Sequence, residues 1–339
     1  MEQVSNPINK KRRIAVDAMG GDFAPQATVE GAYFASLGLS EVEIILVGKK
    51  DLIEREIEKT CPGFMPRIVD ASEEIKMDES PALSVRRKKK SSIVLGVNLL
   101  KDKEADALVS CGNTGALVCA STVYLGLIQQ VERPGIGLVV PTLKGPSFMI
   151  DVGANIDPKP IHLMQYALMA EVYSKKVLDK KSPSIGLLNI GEEETKGPEF
   201  LRETALLLRE SCPGFIGNIE PKDIFLGKCD CIVSDGLAGN IALKVTEGFA
   251  EAVGHFMASE VKKDILGLIG FLLLKRSLKR FSKIMDYSEY GGAPLLGVNG
   301  VVIIGHGRSN AKAVKNAIRV AVRELERDVN HQIQERINV

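Results

Sequence analysis

The sequence predicts a doubly wound α/β fold, and three observations predict it. Short β-branched runs alternate with longer stretches of helical periodicity, the spacing of successive βα units. Several of the runs are apolar throughout, which fits strands covered on both faces. The strands end repeatedly in Gly/Asx junctions that lead into helices, and in open α/β sheets ligands bind just past the carboxyl ends of strands.

The first strand, at 14–17, reads Ile-Ala-Val-Asp and runs into the Gly20-Gly21 turn, which Asp17 and Asp22 bracket. Further strands are expected at 42–47, 67–70, 105–110, 136–140, 148–152, 184–189, 215–219, 231–234 and 301–304. Helices are expected at 25–37, 52–59, 82–101, 116–127, 161–177, 199–209, 241–262 and 310–335. No internal repeat and no long Pro/Gly linker divides the chain, so 13–339 is read as a single two-lobed catalytic domain behind a solvated tail at 1–12. That tail carries Lys10-Lys11-Arg12-Arg13 with no apolar core after it, which is not a signal-peptide pattern.

Composition excludes several function classes. The 339 residues carry a net charge of +1, so no global field attracts nucleic acid, and the lack of Trp argues against base-stacking platforms. The six Cys (61, 111, 119, 212, 229 and 231) form no CxxC pair, and the four His are scattered. No metal is therefore assigned. Walker, GxGxxG and GxSxG patterns are missing, which removes a standard dinucleotide or serine-hydrolase reading.

One segment departs from the βα pattern. The run 265–274 is apolar but too short to span a bilayer. It continues into a basic stretch in which Leu274, Leu278, Phe281 and Met285 share one helical stripe. Between 262 and 283 stand seven Lys/Arg and one acid. Such a segment can lie on an anionic membrane through Leu266, Ile269, Leu272 and Leu273, or serve as a core or dimer helix with a solvated basic face.

Four strand–helix junctions carry the candidate chemistry: 17–22, 111–115, 151–155 and 234–240. Glycines there let backbone N–H groups turn inward, and the following helix start adds partial positive charge, so each is a plausible anion cradle. A helix cap explains any one of them equally well. His306, just after a strand, is a site residue or part of a capped turn. In the block 189–199, Lys196 is either solvated or a point charge beside a phosphate or developing oxyanion. These parts suit a reaction whose nucleophile is itself an anion: inorganic phosphate attacks a thioester without an activated Ser or Cys, and the thiol leaves readily.

Read together, these motifs resemble the bacterial phosphate acyltransferases of phospholipid synthesis, the PlsX family. The matching residues include Ala15-Val-Asp-Ala-Met-Gly-Gly-Asp22, Val85-Arg-Arg-Lys-Lys89, Gly112-Asn-Thr-Gly-Ala-Leu117, Asp151-Val-Gly-Ala-Asn155, Gly186-Leu-Leu-Asn-Ile-Gly191 with Lys196-Gly197, Asp235-Gly236 with Gly239-Asn240, and His306-Gly307. The resemblance implies a three-layer α/β/α fold similar to isocitrate and isopropylmalate dehydrogenases. It implies transfer of a fatty acyl group from acyl-[acyl carrier protein] to inorganic phosphate, with no cofactor. It further implies a homodimer in the cytoplasm with peripheral membrane contact, feeding a membrane glycerol-3-phosphate acyltransferase.

Carried over by position, Lys196, Asn113 and Asp151 are expected to be catalytic. Thr114, Gly115, Asn155, Asp235, Asn240 and His306 are expected to bind substrate in the same crevice. Arg86, Arg87, Lys88 and Lys89 are expected to dock the acidic carrier protein by complementary charge, with a solvated helix face as the competing view. Asp17 and Asp22 are expected to shape the first turn, because carboxylates repel phosphate. Two other readings stay open: an NAD- and metal-dependent decarboxylating dehydrogenase on a similar scaffold, and a non-catalytic membrane scaffold that binds acyl carriers.

Overall fold

The computed structural model describes residues 11–263, 265–285 and 291–338. The expected N-terminal tail lies outside them up to residue 10. In chain order the elements are β1 (Arg12–Asp17), α1 (Gln26–Gly38), β2 (Val42–Gly48), α2 (Lys50–Thr60), β3 (Arg67–Asp70), α3 (Pro81–Arg87), α4 (Ser92–Lys101), β4 (Ala107–Ser110), α5 (Thr114–Ala120), β5 (Gly135–Thr142), β6 (Gly145–Ile150), α6 (Pro160–Lys176), β7 (Ile185–Leu188), α7 (Glu199–Ser211), β8 (Phe215–Ile219), α8 (Asp223–Leu226), β9 (Cys231–Val233), α9 (Gly236–Val261), α10 (Ile265–Met285), β10 (Ala293–Leu296), β11 (Val301–Ile304), α11 (Ala311–Glu326) and α12 (Val329–Ile337). These residues divide into two compact units. One comprises the chain up to Pro134 together with the C-terminal part from 291, and the other begins at Gly135 and ends with α10.

In the first unit the strand order is β3-β2-β1-β4-β11-β10, parallel except for β10 against β11. Strand residues point alternately to the two faces. Val16, Leu46, Val109 and Ile303 belong to one buried cluster with Val29 and Ala32 of α1 and Val314 and Ile318 of α11. The intervening Leu108 meets α4 on the opposite face. There a Cβ at Gly96 would stand 2.7 Å from Leu108 Cδ1, so the helix lies closer to the sheet than any larger residue allows. Helices thus cover both faces, which is why these strands read as unbroken apolar runs.

In the second unit the order is β5-β6-β9-β7-β8, with β5 and β6 an antiparallel hairpin and the remaining pairs parallel. α6 opens on Pro160, whose missing N–H costs nothing in a first turn. It buries Tyr166 and Tyr173, and Tyr173 stacks on Phe148 of β6 with centroids 4.1 Å apart.

The structure corrects several expected elements. The helix expected at 82–101 is two helices. Ser91 caps α4 through Val94 N–H, and the Lys88 amine is drawn back to the Glu74 carbonyl at 2.7 Å, so the chain turns between them. The helix expected at 116–127 starts at Thr114 and closes in a π-helical turn, Ser121–Leu125. The helix expected at 310–335 breaks at Asp328, which has φ 48°. β10 was not expected, since Ala-Pro-Leu-Leu is short, lacks β-branching and contains Pro.

The Leu108 packing gives a direct check. Leu108→Ala is expected to destabilise the fold by about 2–5 kcal/mol, the usual range for a large-to-small core change, read from the shift of the denaturant unfolding curve.

Candidate active site

At the carboxyl edge of the first unit's sheet, the loops after β1, β4 and β11 meet. Asp22 N–H donates to the Gly307 carbonyl at 2.7 Å, and Gly305 N–H to the Ser110 carbonyl at 2.8 Å. Asp17 is buried beneath them. Its carboxylate accepts the Ser110 hydroxyl at 2.6 Å and Met19 N–H at 3.1 Å, and Ser110 Oγ in turn accepts Gly112 N–H at 3.1 Å. Burial pushes the Asp17 carboxyl up, against the hydrogen bonds of Ser110, Ser92 and Met19. Asp17 therefore sets loop geometry from below.

Asn113 does the same from within its loop. Its Oδ1 accepts Ala116 N–H at 2.9 Å, capping α5, and its Nδ2 reaches the carbonyls of Lys76, Met77 and Glu79 at 3.1, 3.1 and 3.2 Å. The side chain expected as a direct phosphate donor is occupied by the cap and the tether. Thr114 and Gly115 stand half-exposed at the opening of the helix. The tethered loop is itself anchored by Glu79, which accepts Lys88 Nζ at 2.5 Å, Ser84 Oγ at 2.8 Å and Lys76 N–H at 3.2 Å. Lys88 is thus a strut for this loop, while Arg86, Arg87 and Lys89 are exposed. His306 Nδ1 accepts Arg308 N–H at 3.1 Å.

In the second unit three loops leave the same edge of three adjacent parallel strands. Ile150 of β6 pairs with Val233 of β9, and Val233 with Leu187 of β7. The segments 151–155, 234–240 and 189–197 therefore emerge side by side, with neighbouring strands about 5 Å apart.

Asp151, fully buried, accepts N–H groups from Ile136, Gly153, Ala154 and Asn155 at 2.7–3.1 Å. Burial raises its carboxyl and those donors oppose the rise. A carboxylate so enclosed has no lone pair aimed at a substrate, so Asp151 organises the site in place of the catalytic role expected of it. Gly236 N–H donates to the Asn155 carbonyl at 2.9 Å, and Asp235 caps α9 through Ala238 N–H at 2.8 Å. Asp235, expected as a substrate ligand, thus gives one carboxylate oxygen to the cap and stands half-exposed. Asn240 lies exposed over Gly153, where a Cβ would stand 3.9 Å from the Asn240 side chain.

Lys196 is exposed on the third loop. Two of the loop's three acids are held by other cations, Glu192 by Lys228 at 2.8 Å and Glu194 by Arg209, and among the described residues no ion pair involves Lys196. These pairs line a cavity beside Asn218, whose charges cancel one another. Cys111 and Cys229 are not activated thiols. Burial pushes Cys111 up to about 11 and Cys229 up to about 12, far from the depressed values of reactive cysteines.

A family model described as "Fatty acid synthesis protein" matches residues 12–332. A phosphate acyltransferase from Geotalea uraniireducens is 46% identical over 326 residues, covering 96% of this chain and 94% of the relative. One from Dictyoglomus turgidum is 47% identical, covering 96% and 98%. The chain belongs to this family. Among solved structures, a phosphotransacetylase from Streptococcus pyogenes superposes with TM-score 0.63 at 18% identity over 94% of this chain and 95% of its own. A 4-hydroxythreonine-4-phosphate dehydrogenase from Klebsiella pneumoniae reaches TM-score 0.50 at 14% identity, covering 97% and 100%. These likenesses show the α/β fold. The dehydrogenase alternative shares that fold with the family, whereas the relatives are named for acyl transfer.

Two residues at the site escaped the sequence reading. Asn155 Nδ2 lies 3.2 Å from His162 Nδ1 and 3.4 Å from the Tyr166 hydroxyl, both buried in the first turns of α6. The signal was the spacing from Asn155 across Pro160, which puts a helix start under the loop.

The Glu79 anchor predicts an acid signature. Lys88, then Ser84 and Lys76 N–H, lower its carboxyl from 4.5 to about 2. Because the folded value lies below the ordinary one, the anchor is complete above the ordinary value and is lost as pH falls from 4.5 through about 2. An NMR titration should place the Glu79 midpoint near the lower value, and Lys88→Met should move it back up.

Proposed function

We infer that the chain is a phosphate acyltransferase that moves a fatty acyl group from acyl-[acyl carrier protein] to inorganic phosphate. An ionised phosphate oxygen attacks the thioester carbonyl. The O–C bond forms, the C–S bond breaks, and the carrier leaves as thiolate, a good leaving group because its thiol pKa is ~8.5. The step runs in both directions. The protein supplies position and charge, and needs neither a nucleophilic side chain nor a strong acid.

The observation that carries this reading is Lys196: an exposed ammonium without an acid partner, on a loop at the carboxyl edge of β6, β9 and β7. It stabilises charge on phosphate and on the carbonyl oxygen. Asn155 and Asn240 lie at the same edge, on loops that Asp151 and Asp235 hold in place. Within the first unit, Thr114 and Gly115 form a cradle of their own, which Asn113 and Asp17 hold. Arg86, Arg87 and Lys89 are the docking charges for the acidic carrier protein.

Two surfaces bear on partners. On α9, Leu237, Ile241, Val245, Phe249, Val253 and Phe256 are exposed at helical spacing. A row of this length is the seam of a helix-mediated homodimer. On α10, Ile269, Leu272 and Leu273 are exposed beside Lys275, Arg276 and Arg280, which suits an anionic membrane surface. The side chains of Leu266, Phe281 and Met285 lie outside those described. No helix among the described residues is long and apolar enough to cross a membrane. Membrane contact places the chain beside the acyltransferase that consumes acyl phosphate.

Lys196→Ala is expected to lower formation of hydroxylamine-reactive acyl phosphate by about 10²-fold, the scale of one lost charge-stabilising group, with an unchanged melting curve. Full turnover in the variant removes Lys196 from the mechanism. Leu272→Glu with Leu273→Glu should abolish sedimentation with anionic liposomes and spare activity in solution, whereas Phe249→Glu should halve the mass measured by light scattering. Sedimentation of the double variant, or an unchanged mass for Phe249→Glu, overturns the corresponding assignment.

A further inference from the structure

The orientation of the Asn155 side chain can be derived from its neighbours. Lys159 N–H donates to His162 Nδ1 at 3.0 Å. A backbone N–H is always a donor, so Nδ1 carries no proton and the ring proton is on Nε2. The Asn155 atom 3.2 Å from the same Nδ1 must then also be a donor, which makes it Nδ2. The Tyr166 hydroxyl, 3.4 Å away, lies on that side too. The carbonyl oxygen Oδ1 is thereby turned the other way. Asn155 is half-buried, and among the described residues its Oδ1 has no partner and is not enclosed. His162 is 5% exposed, so the device is built into the base of the loop.

Asn155 therefore offers a ligand an acceptor. An acceptor is the wrong group for a fully ionised oxyanion and the right one for an oxyanion that keeps a proton. Near neutral pH both ionic forms of phosphate keep at least one P–O–H group, whereas sulfate keeps none. We propose that Asn155, oriented by His162, accepts the P–O–H hydrogen of phosphate and makes the enzyme select phosphate over sulfate. This rests on the reading that phosphate sits at the carboxyl edge of β6, β9 and β7. The bond takes the protonated oxygen, which is a poor nucleophile, and leaves the ionised oxygens for Lys196 and for attack. Asn155 binds substrate, and His162 is a positioning residue.

The test is steady-state kinetics of the full chain with acyl-[acyl carrier protein], phosphate as varied substrate and sulfate as competitor. His162→Phe keeps a ring and removes the acceptor, so the amide is free to turn Nδ2 outward. The ratio of the sulfate inhibition constant to the phosphate KM should fall about tenfold, the scale of one exchanged hydrogen bond, with the acyl-donor KM unchanged. His162→Gln restores an acceptor and should return the ratio towards that of the parent. Equal loss of turnover in both variants with the ratio unchanged makes His162 merely structural and overturns the proposal. A raised acyl-donor KM with the ratio unchanged overturns it in favour of an amide N–H on the carrier's thiol arm. Asn155→Ala covers the case in which His162→Phe does not fold, because it removes Oδ1 and should lower the same ratio. It also separates the two readings: an unchanged phosphate KM puts phosphate elsewhere and removes the site reading, whereas a raised KM with an unchanged ratio removes only the selectivity.

Discussion

The candidate site depends on buried carboxylates that gather backbone N–H groups where strands end. Asp151 collects four such donors just after β6, and Asp17 collects Met19 N–H and the Ser110 hydroxyl at the end of β1. Each draws its following loop tight against the sheet edge. The free energy involved is that of desolvating a charge, which is unfavourable unless hydrogen bonds compensate. Once compensated, the loop has few alternative conformations, because releasing it would leave a buried carboxylate unpaired. The exposed groups of each loop are then held by carboxyl groups that are themselves buried. Loops held this way provide the fixed positions that electrostatic catalysis requires.

The fold was legible because its strands are buried on both faces and so announce themselves as unbroken apolar runs. β10 was not legible, since Ala-Pro-Leu-Leu becomes a strand only through its pairing with β11. The candidate site was legible in location and less so in role. An Asn or Asp at a strand–helix junction reads identically as a ligand or as a cap, and only its partners decide. Asn113 and Asp235 turned out to cap, Asp151 to anchor, and Lys88 to brace the loop that Asn113 holds. Lys196 differed because the sequence left it either solvated or a point charge beside an anion, and its nearest sequence neighbours include three glutamates. Two of those acids are bound by Lys228 and Arg209, residues distant in sequence.

The electrostatics follow a division of labour. With a net charge of +1, the chain has no long-range field to concentrate phosphate, so discrimination must be local. Glu192, Glu194 and Glu79 are paired with Lys228, Arg209 and Lys88. Lys196 is left without an ion pair among the described residues, and Arg86, Arg87 and Lys89 are exposed on α3 and just after it. A small anion and a large acidic partner would thus meet separate charges.

The glycines of the fourth junction have a steric cause that ties it to the third. A Cβ at Gly239 would stand 2.0 Å from the Asp151 carbonyl, and one at Gly236 would stand 2.6 Å from the Asn155 carbonyl. α9 can begin only in direct backbone contact with the loop that Asp151 folds. That contact brings Asn240, one turn into the helix, over Gly153. Replacing either glycine would force α9 away from the loop, drawing Asn240 off Gly153 without altering a single polar group. The Gly-x-x-Gly-Asn pattern is thus a packing constraint that fixes where Asn240 stands over the 151–155 loop.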